Sequence, residues 1–437
     1  MCMSEALLPL GWRKPTKSRS TSKSGSTSLL SASAEGHLIT VAPTGAGKGV
    51  SAVIPALLSW QGPAIVIDPK GEAYHVTHHY RQNLGQKVHV LDPFGVVTDT
   101  SDRLNPIDLL VPDSPNLADD AAMIASLLAA GMTKPSDPFW DERASTLITG
   151  LILYQQNALG TLSTTLEYVR HELFACVQAK TTIYNALVWS PITEVAAAGN
   201  ILCNEGRVLN SILSTAQSHI GFIRSGPVAE CLQNSTIALE DIQSGAPLTL
   251  YLVLPPDKLI SHGRLLRLWI ATLLTTLARR RQIPAEPTLL LIDEAAQLGR
   301  LDALLTAVTL LRGYGVKVWS FWQDLAQVAS IYGPDALTLL NNCGTQQFLA
   351  PASPHAAADI ETYLADSSPL PLAALNSDDV LITRQGKRPH VYRRIDYRRD
   401  AMFAGRFADN PFYRNRAAKP QEPALPGNVY RFPEQRI

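Results

Sequence analysis

HLITVAPTGAGKGVSAVIP, residues 37–55, reads as a strand, a glycine-bearing turn and a helix in immediate succession. Residues 38–41 are apolar and β-prone, 43–47 form a turn, and Gly49 opens a helical run. Strand, loop and helix in that order make a P-loop. Gly45 and Gly47 permit backbone conformations that aim successive N–H groups at one anion. The helix that follows adds the positive end of its dipole, and Lys48 adds an ammonium for the outer phosphates of a nucleotide. The candidate nucleotide-binding residues are therefore Pro43, Thr44, Gly45, Ala46, Gly47, Lys48 and Gly49. The stretch departs twice from G-x-x-x-x-G-K-[ST]: Ala42 stands at the first glycine, and Gly49 brings no hydroxyl for Mg2+. A glycine-rich turn with a surface lysine is the competing reading, so a second nucleotide motif has to decide.

TLLLIDEAAQLG, residues 288–299, is that motif: a continuous apolar strand ending in two adjacent carboxylates. A buried strand of a parallel sheet presents its last residues at the C-terminal edge, where ligands bind. Asp293 is placed to organise Mg2+ through its water shell, and Glu294 to polarise an attacking water. Farther on, LLRGYGVKVWSFWQDL predicts a strand over 316–322 with Gln323 at its end. That side chain faces a γ-phosphate if its strand lies between the two motif strands. Arg312, in the turn before the strand, is either an arginine finger for a neighbouring subunit or a cation closing a helix C-terminus.

Between the motifs, PAIVI (63–67) leads into DPKGE (68–72), a helix over 73–82 follows, and the run at 87–91 ends in a second Asp-Pro corner at Asp92. Strands alternating with helices predict an α/β fold with a mainly parallel twisted sheet. Strand signals thin from residue 105 to 236, where helices are expected over 117–130, 164–179 and 191–202. In FWDERASTLITGLILY (139–154), Trp140, Ala144, Leu147, Leu151 and Tyr154 share one helical face. An all-α segment is thus inserted before the sheet resumes at PLTLYLVLP (247–255). His75 and His79 lie one helical turn apart, without a carboxylate or cysteine at metal-ligand spacing.

The chain of 437 residues, 46% hydrophobic and 17% charged, has material for two or three domains. Lys plus Arg and Asp plus Glu balance at 38 each, so any nucleic-acid contact must come from focused patches. Five scattered cysteines form no CxxC pair, which argues against a zinc or disulfide framework and for a reducing compartment. RLLRLWIATLLTTLARRR (264–281) is interrupted by Arg267 and reads as a buried helix with a cationic end, not a membrane span. Residues 1–35 read as a flexible basic arm, rich in Ser, Thr, Lys and Arg. From Arg384 onward basic and aromatic residues interleave, suited equally to phosphate contact and to a strap across a domain surface.

APTGAGKGV (42–50), DPKGE (68–72), LDPFG (91–95), LNPID (104–108), DPFWDERA (137–144), LLLIDEAAQLG (289–299) and LRGYGVKVWSFWQDLAQVASIYG (311–333) together resemble the TraG/VirD-type coupling proteins of conjugative and type IV secretion systems. The resemblance implies a RecA-like P-loop NTPase carrying an all-α domain, with ATP and Mg2+ as ligands. It also implies a homo-oligomeric, hexameric ring that passes DNA or a relaxase–DNA/protein cargo to the secretion apparatus. Gly49 after the lysine is usual in that family. The expected division is a basic arm (1–35), a P-loop domain in two parts (36–105 and 237–395), an all-α insertion (106–236) and a basic, proline-rich tail (396–437). Members usually carry an N-terminal transmembrane segment. Here the expectation is a cytoplasmic protein at the cytoplasmic face of the bacterial inner membrane, and three readings stay open: a soluble homologue, docking through a separate membrane partner, or a divergent or truncated copy. Two alternatives share the site residues: a nucleotide-gated substrate receptor without continuous hydrolysis, and a DNA-pumping ATPase unconnected with secretion.

Overall fold

The apolar runs found in the sequence pair side by side. The computed structural model describes residues 7–14, 28–32, 36–129, 138–159, 164–175, 182–224, 226–365 and 367–413. Its strands are β1 (Leu8–Arg13), β2 (Leu29–Ala32), β3 (Leu38–Val41), β4 (Ala64–Ile67), β5 (Lys87–Leu91), β6 (Leu248–Leu252), β7 (Thr288–Ile292), β8 (Val316–Trp322), β9 (Thr345–Leu349), β10 (Asp379–Arg384) and β11 (Lys387–Arg393). They form one sheet in the order β2-β1-β11-β10-β9-β3-β8-β7-β4-β6-β5. The stretch from β9 to β5 is parallel throughout, and β10, β11, β1 and β2 extend it antiparallel. Every residue of β3, β4, β6, β7, β8 and β9 is buried, as expected for strands covered on both faces.

Register fixes where the motifs emerge. Val41 pairs with Trp322, Ser320 with Ile292, and Ile292 with Ile67. The residues that follow these strand ends, Ala42, Gln323, Asp293 and Asp68, therefore leave the sheet along one edge. β8 lies between the P-loop strand and the strand carrying Asp293, the arrangement required for Gln323 to face the site.

Between β5 and β6 the described residues hold helices only, the longest being Leu117–Ala129, Pro138–Leu159 and Gly206–Ile220. Ala144, Leu147, Ile148 and Leu151 are buried, and Trp140 and Tyr154 flank them, half-buried. Gly150 is required where this helix crosses the helix Thr193–Leu202: a Cβ there would meet the Glu194 carbonyl at 2.9 Å and the Ala198 methyl closer still. The apolar cluster continues without a break into Ile39, Ile65, Ile67 and Leu91 of the sheet. The helix Pro256–Ala278 buries Leu265, Leu266, Leu268 and Trp269 against the same cluster. Its cationic end turns inward: Arg280 donates to the carbonyls of Ile242, Gln243, Tyr314 and Gly315 and to the Thr288 hydroxyl. Among the described residues no helix is long and apolar enough to cross a membrane.

One expectation needs correction and one open choice is decided. Residues 1–35 are not wholly a flexible arm, because β1 and β2 add the last two strands of the sheet. Leu8 and Leu10, two residues apart, both enter the core, and β1 pairs with β11 across almost the whole chain. Residues 15–27 lie outside the described residues. The tail expected at 396–437 is a packed strap as far as Tyr413: Ile395, Tyr397 and Phe403 are buried against Val50, Ile54 and Leu58 of the P-loop helix. Its remaining residues lie outside the described part.

Candidate nucleotide site

The P-loop turn holds its shape through two glycines in the left-handed region, Gly45 at φ 79° and Gly47 at φ 83°. Only glycine takes that conformation without a steric penalty. The loop closes on itself through Ala46 N–H to Pro43 C=O, and the helix opens with a π turn over Gly49–Val53. The Ser51 N–H and hydroxyl both donate to the Gly47 carbonyl, each at 3.0 Å.

Lys48 reaches across to the neighbouring strand ends. Its Nζ lies 2.9 Å from Asp293 Oδ1 and 2.5 Å from Glu294 Oε1. Gln323 Nε2 donates to the other oxygen of Glu294 at 3.2 Å. Lys48, Asp293, Glu294 and Gln323, drawn from three strand ends, thus form one hydrogen-bonded group. Glu294 sits at φ 56°, ψ 51°, a left-handed conformation uncommon for a residue with a side chain. Its N–H is held by Asp293 Oδ1.

Burial sets the charge states of these acids. It raises Asp293, with Lys48 offsetting only part of the effect. Burial also pushes Glu294 upward, but the Lys48 ammonium and the Gln323 amide outweigh it and hold this carboxyl below its ordinary value. Glu294 is the acid of the pair that stays ionised most readily.

The structure adds residues whose roles the sequence did not show. Asp68, at the end of β4 beside Asp293, accepts from the Tyr74 N–H, and burial followed by the charges of Asp293 and Glu72 pushes it up to about 7. Glu72 is raised by burial and is held by Asn410 of the strap at 2.7 Å. A Cβ on Gly49 would lie 3.5 Å from Glu72 Oε1, so a carboxylate stands beside the place where most P-loops carry a hydroxyl. Arg394, just after β11, donates from Nε and Nη2 to the Ser51 hydroxyl at 3.0 and 2.7 Å. The signal for Asp68 and Glu72 was DPKGE itself, an acid in the same strand-end position as Asp293; nothing local marks Arg394 among its neighbouring arginines.

Arg312 is not part of this group. It precedes β8, whereas Gln323 follows it, so the two are separated by the length of the strand, about 20 Å at ~3.3 Å per residue. His75 and His79 gather no metal-ligand set: among the described residues no cluster of three or more His, Cys, Asp or Glu is placed to hold an ion.

The profile of the family described as "Type IV secretory system Conjugative DNA transfer" matches residues 13–365. The chain is 25% identical to conjugal transfer protein TraG of Escherichia coli over 351 residues, which is 75% of this chain and 55% of that protein. It is 26% identical to protein VirD4 of Agrobacterium fabrum over 387 residues, 84% of this chain and 57% of that one. The chain spans about half the length of these curated relatives. Among solved structures, plasmid coupling protein TrwB in complex with ADP and Mg2+ superposes with TM-score 0.63 at 14% identity, covering 82% of this chain and 84% of that chain. VirB4 of Thermoanaerobacter pseudethanolicus gives 0.55 at 14% identity, covering 89% and 96%. The fold is therefore that of a RecA-like P-loop protein, with a mainly parallel sheet and a helical insertion.

Proposed function

The chain belongs to the type IV secretory system conjugative DNA transfer family, and we propose that it works there as an ATP-hydrolysing coupling protein that recruits DNA or a DNA–protein substrate and moves it toward a secretion channel. The observation that carries the reading is the convergence of Lys48, Asp293, Glu294 and Gln323 at one edge of a parallel sheet. In this reading Pro43 to Gly49 cradle the nucleotide phosphates with backbone N–H groups, and Lys48 exchanges its carboxylate partners for the outer phosphates.

The donor set fits Mg2+: hard carboxylate oxygens from Asp293, with Glu72 beside the Gly49 position. Mg2+ would neutralise charge on the phosphate oxygens. Glu294, kept ionised and oriented by the Gln323 amide, accepts a proton from the attacking water. Gln323, bound to Glu294 at the end of β8, would sense the γ-phosphate in this reading, and its loss on hydrolysis would remove a hydrogen-bonding partner. Arg312, at the far end of β8, serves the site of a neighbouring subunit in a ring, where its guanidinium offsets charge developing on the phosphoryl group. The partition into a P-loop domain (36–105 and 237–395) and an all-α insertion (106–236), and residence at the cytoplasmic face of the inner membrane, belong to the same proposal.

The test is steady-state ATP turnover with and without DNA. A DNA-translocating motor shows turnover that rises with DNA and is abolished by Lys48→Ala. Tight ATP binding with no turnover under any condition replaces the motor by a nucleotide-gated receptor.

A further inference from the structure

At the edge of the sheet opposite the Lys48 site lies a recess of about 560 Å³ that the nucleotide chemistry does not use. Its floor is the start of β9, with Cys343, Gly344 and Gln346. One wall is the end of the helix Pro354–Tyr363, and the other is the tip of the β10–β11 hairpin, Arg384 to Pro389.

The charges at this tip are unlike those that follow them in the chain. Arg393 is matched by Asp400 at 3.0 Å and Arg398 by Asp396 at 2.8 Å, while Arg394 is tied to the Ser51 hydroxyl. Arg384, Lys387 and Arg388 all line the recess, and none of them has an ion-pair partner among the described residues. No carboxylate stands among the described lining residues. The basic, aromatic-rich stretch that begins at Arg384 therefore divides in two: its later part packs as the strap, and its first three cations are left facing one recess. In a chain of zero formal net charge, such a focused positive patch is what attracts an anionic partner.

The floor adds a second requirement. Gln346 is only 8% exposed, and its Nε2 donates to the Leu340 carbonyl at 3.0 Å and to the Tyr363 hydroxyl at 2.8 Å. A carbonyl can only accept, so Leu340 fixes which way the amide faces. Gln346 Oε1 is left without a donor among the described residues. A buried oxygen in that state is unfavourable until an N–H is brought to it. The phosphodiester backbone of a nucleic acid offers acceptors only and would leave Gln346 unmatched. An extended peptide offers an N–H at each residue, and carboxylates on alternate residues share one side of it.

The rim is open: Asn341, Ser367, Lys387 and Arg388 are exposed, so a segment can enter and leave across it. The chain's own residues 414–437 carry five Lys or Arg and two Glu, the wrong sign for this recess. We propose that the recess binds an acidic, extended segment of a partner protein. Arg384, Lys387 and Arg388 pair with its carboxylates, Gln346 Oε1 accepts a backbone N–H, and Tyr363, Leu364 and Pro389 take an apolar side chain. Occupancy needs no ATP hydrolysis, because the recess and the Lys48 site lie at opposite edges of the sheet.

Binding is measured as the anisotropy of a fluorescein-labelled Glu-Ala repeat peptide. Beside it stand a Gln-Ala repeat of the same length and a Glu-Ala repeat N-methylated along its backbone. Wild type is compared with Lys387→Glu/Arg388→Glu and with a charge-matched control, Arg207→Glu/Arg281→Glu, which reverses two exposed arginines away from the recess. Melting temperatures confirm folding. The Glu-Ala peptide is expected to bind wild type and the control alike, with affinity that falls as salt rises. The hairpin variant should bind it at least about 10-fold more weakly. The Gln-Ala and N-methylated peptides should each lose affinity for wild type. No binding of the Glu-Ala peptide by wild type, an equal loss in the control, or undiminished binding of the N-methylated peptide each overturns the site. Fluorescein-labelled oligo(dT) is the last arm: its affinity should be the same for wild type and the hairpin variant, and a loss as large as that of the peptide would make the recess a nucleic-acid surface and overturn the proposal.

Discussion

Glu294 occupies a left-handed backbone position that costs a residue with a side chain on the order of 1–3 kcal/mol. The fold sustains it because Asp293 Oδ1 takes its N–H while Lys48 and Gln323 take its two carboxylate oxygens. Beside it, Asp68 makes the site sensitive to pH. Burial lifts its folded-state pKa to about 7 from an ordinary value of 3.8, so the folded protein binds more protons than the unfolded chain between those limits. Stability therefore falls as pH rises through this window. Thermal melts should show the midpoint dropping from pH 5 to pH 7.5, and Asp68→Asn, which keeps an acceptor for the Tyr74 N–H, should flatten that slope. An unchanged slope would remove Asp68 as its source. Residues of this kind divided cleanly in their legibility. Lys48, Asp293, Glu294 and Gln323 could be read because each residue type suits one chemical task at a strand end. Asp68 and Glu72 were visible only as members of a motif, since burial against Asp293 is a property of the folded sheet.

The element whose nature the sequence left open is the segment after β11. Its arginines and aromatics fit a nucleic-acid tail and a packed strap equally well, and burial decides for the strap. Tyr397 and Phe403 sit under the P-loop helix, Asn410 holds Glu72, and Arg394 holds Ser51. The nucleotide site therefore has a floor supplied from the other end of the chain. Phe403→Ala should destabilise the protein by about 3–5 kcal/mol, the range for emptying a buried aromatic site, and a chemical-denaturation midpoint measures it. Arg394→Ala removes a tether rather than a core group: it should weaken ATP binding several-fold while lowering the midpoint much less. Equal effects of the two variants on binding and stability would mean that Arg394 acts only through packing. β1 was missed for a related reason. LPLGWR is short and carries Pro9 and Gly11, residues that an outlying strand tolerates better than a central one, and its partner β11 lies nearly 400 residues away.

For the whole molecule, the strand order separates the residues of the site from Arg312. Lys48, Asp293, Glu294 and Gln323 meet at the C-terminal edge, and Arg312 lies at the opposite end of β8. An arginine there cannot reach its own chain's Lys48 site across the sheet, so the proposed finger requires the proposed ring, and the competing role is a cation closing a helix end. Mixing Lys48→Ala with Arg312→Ala tests this, because each variant keeps the part the other lacks. The mixture should exceed the average of the separate activities, with the gain growing as protein concentration rises; simple averaging at every concentration would leave Arg312 a local cation. The parallel core and the helical insertion could be anticipated from alternating strand and helix patterns, whereas the antiparallel extension by β10, β11, β1 and β2 joins segments that no local pattern links. The central claim remains chemical, that Glu294 drives ATP hydrolysis at the Lys48 site. Single-turnover hydrolysis of γ-labelled ATP by wild type and Glu294→Gln, with ATP affinity measured on the same samples, tests it most directly. The account predicts similar affinity and a rate at least about 10²-fold lower in the variant, the usual scale of a lost general base; hydrolysis at the wild-type rate by Glu294→Gln would contradict it.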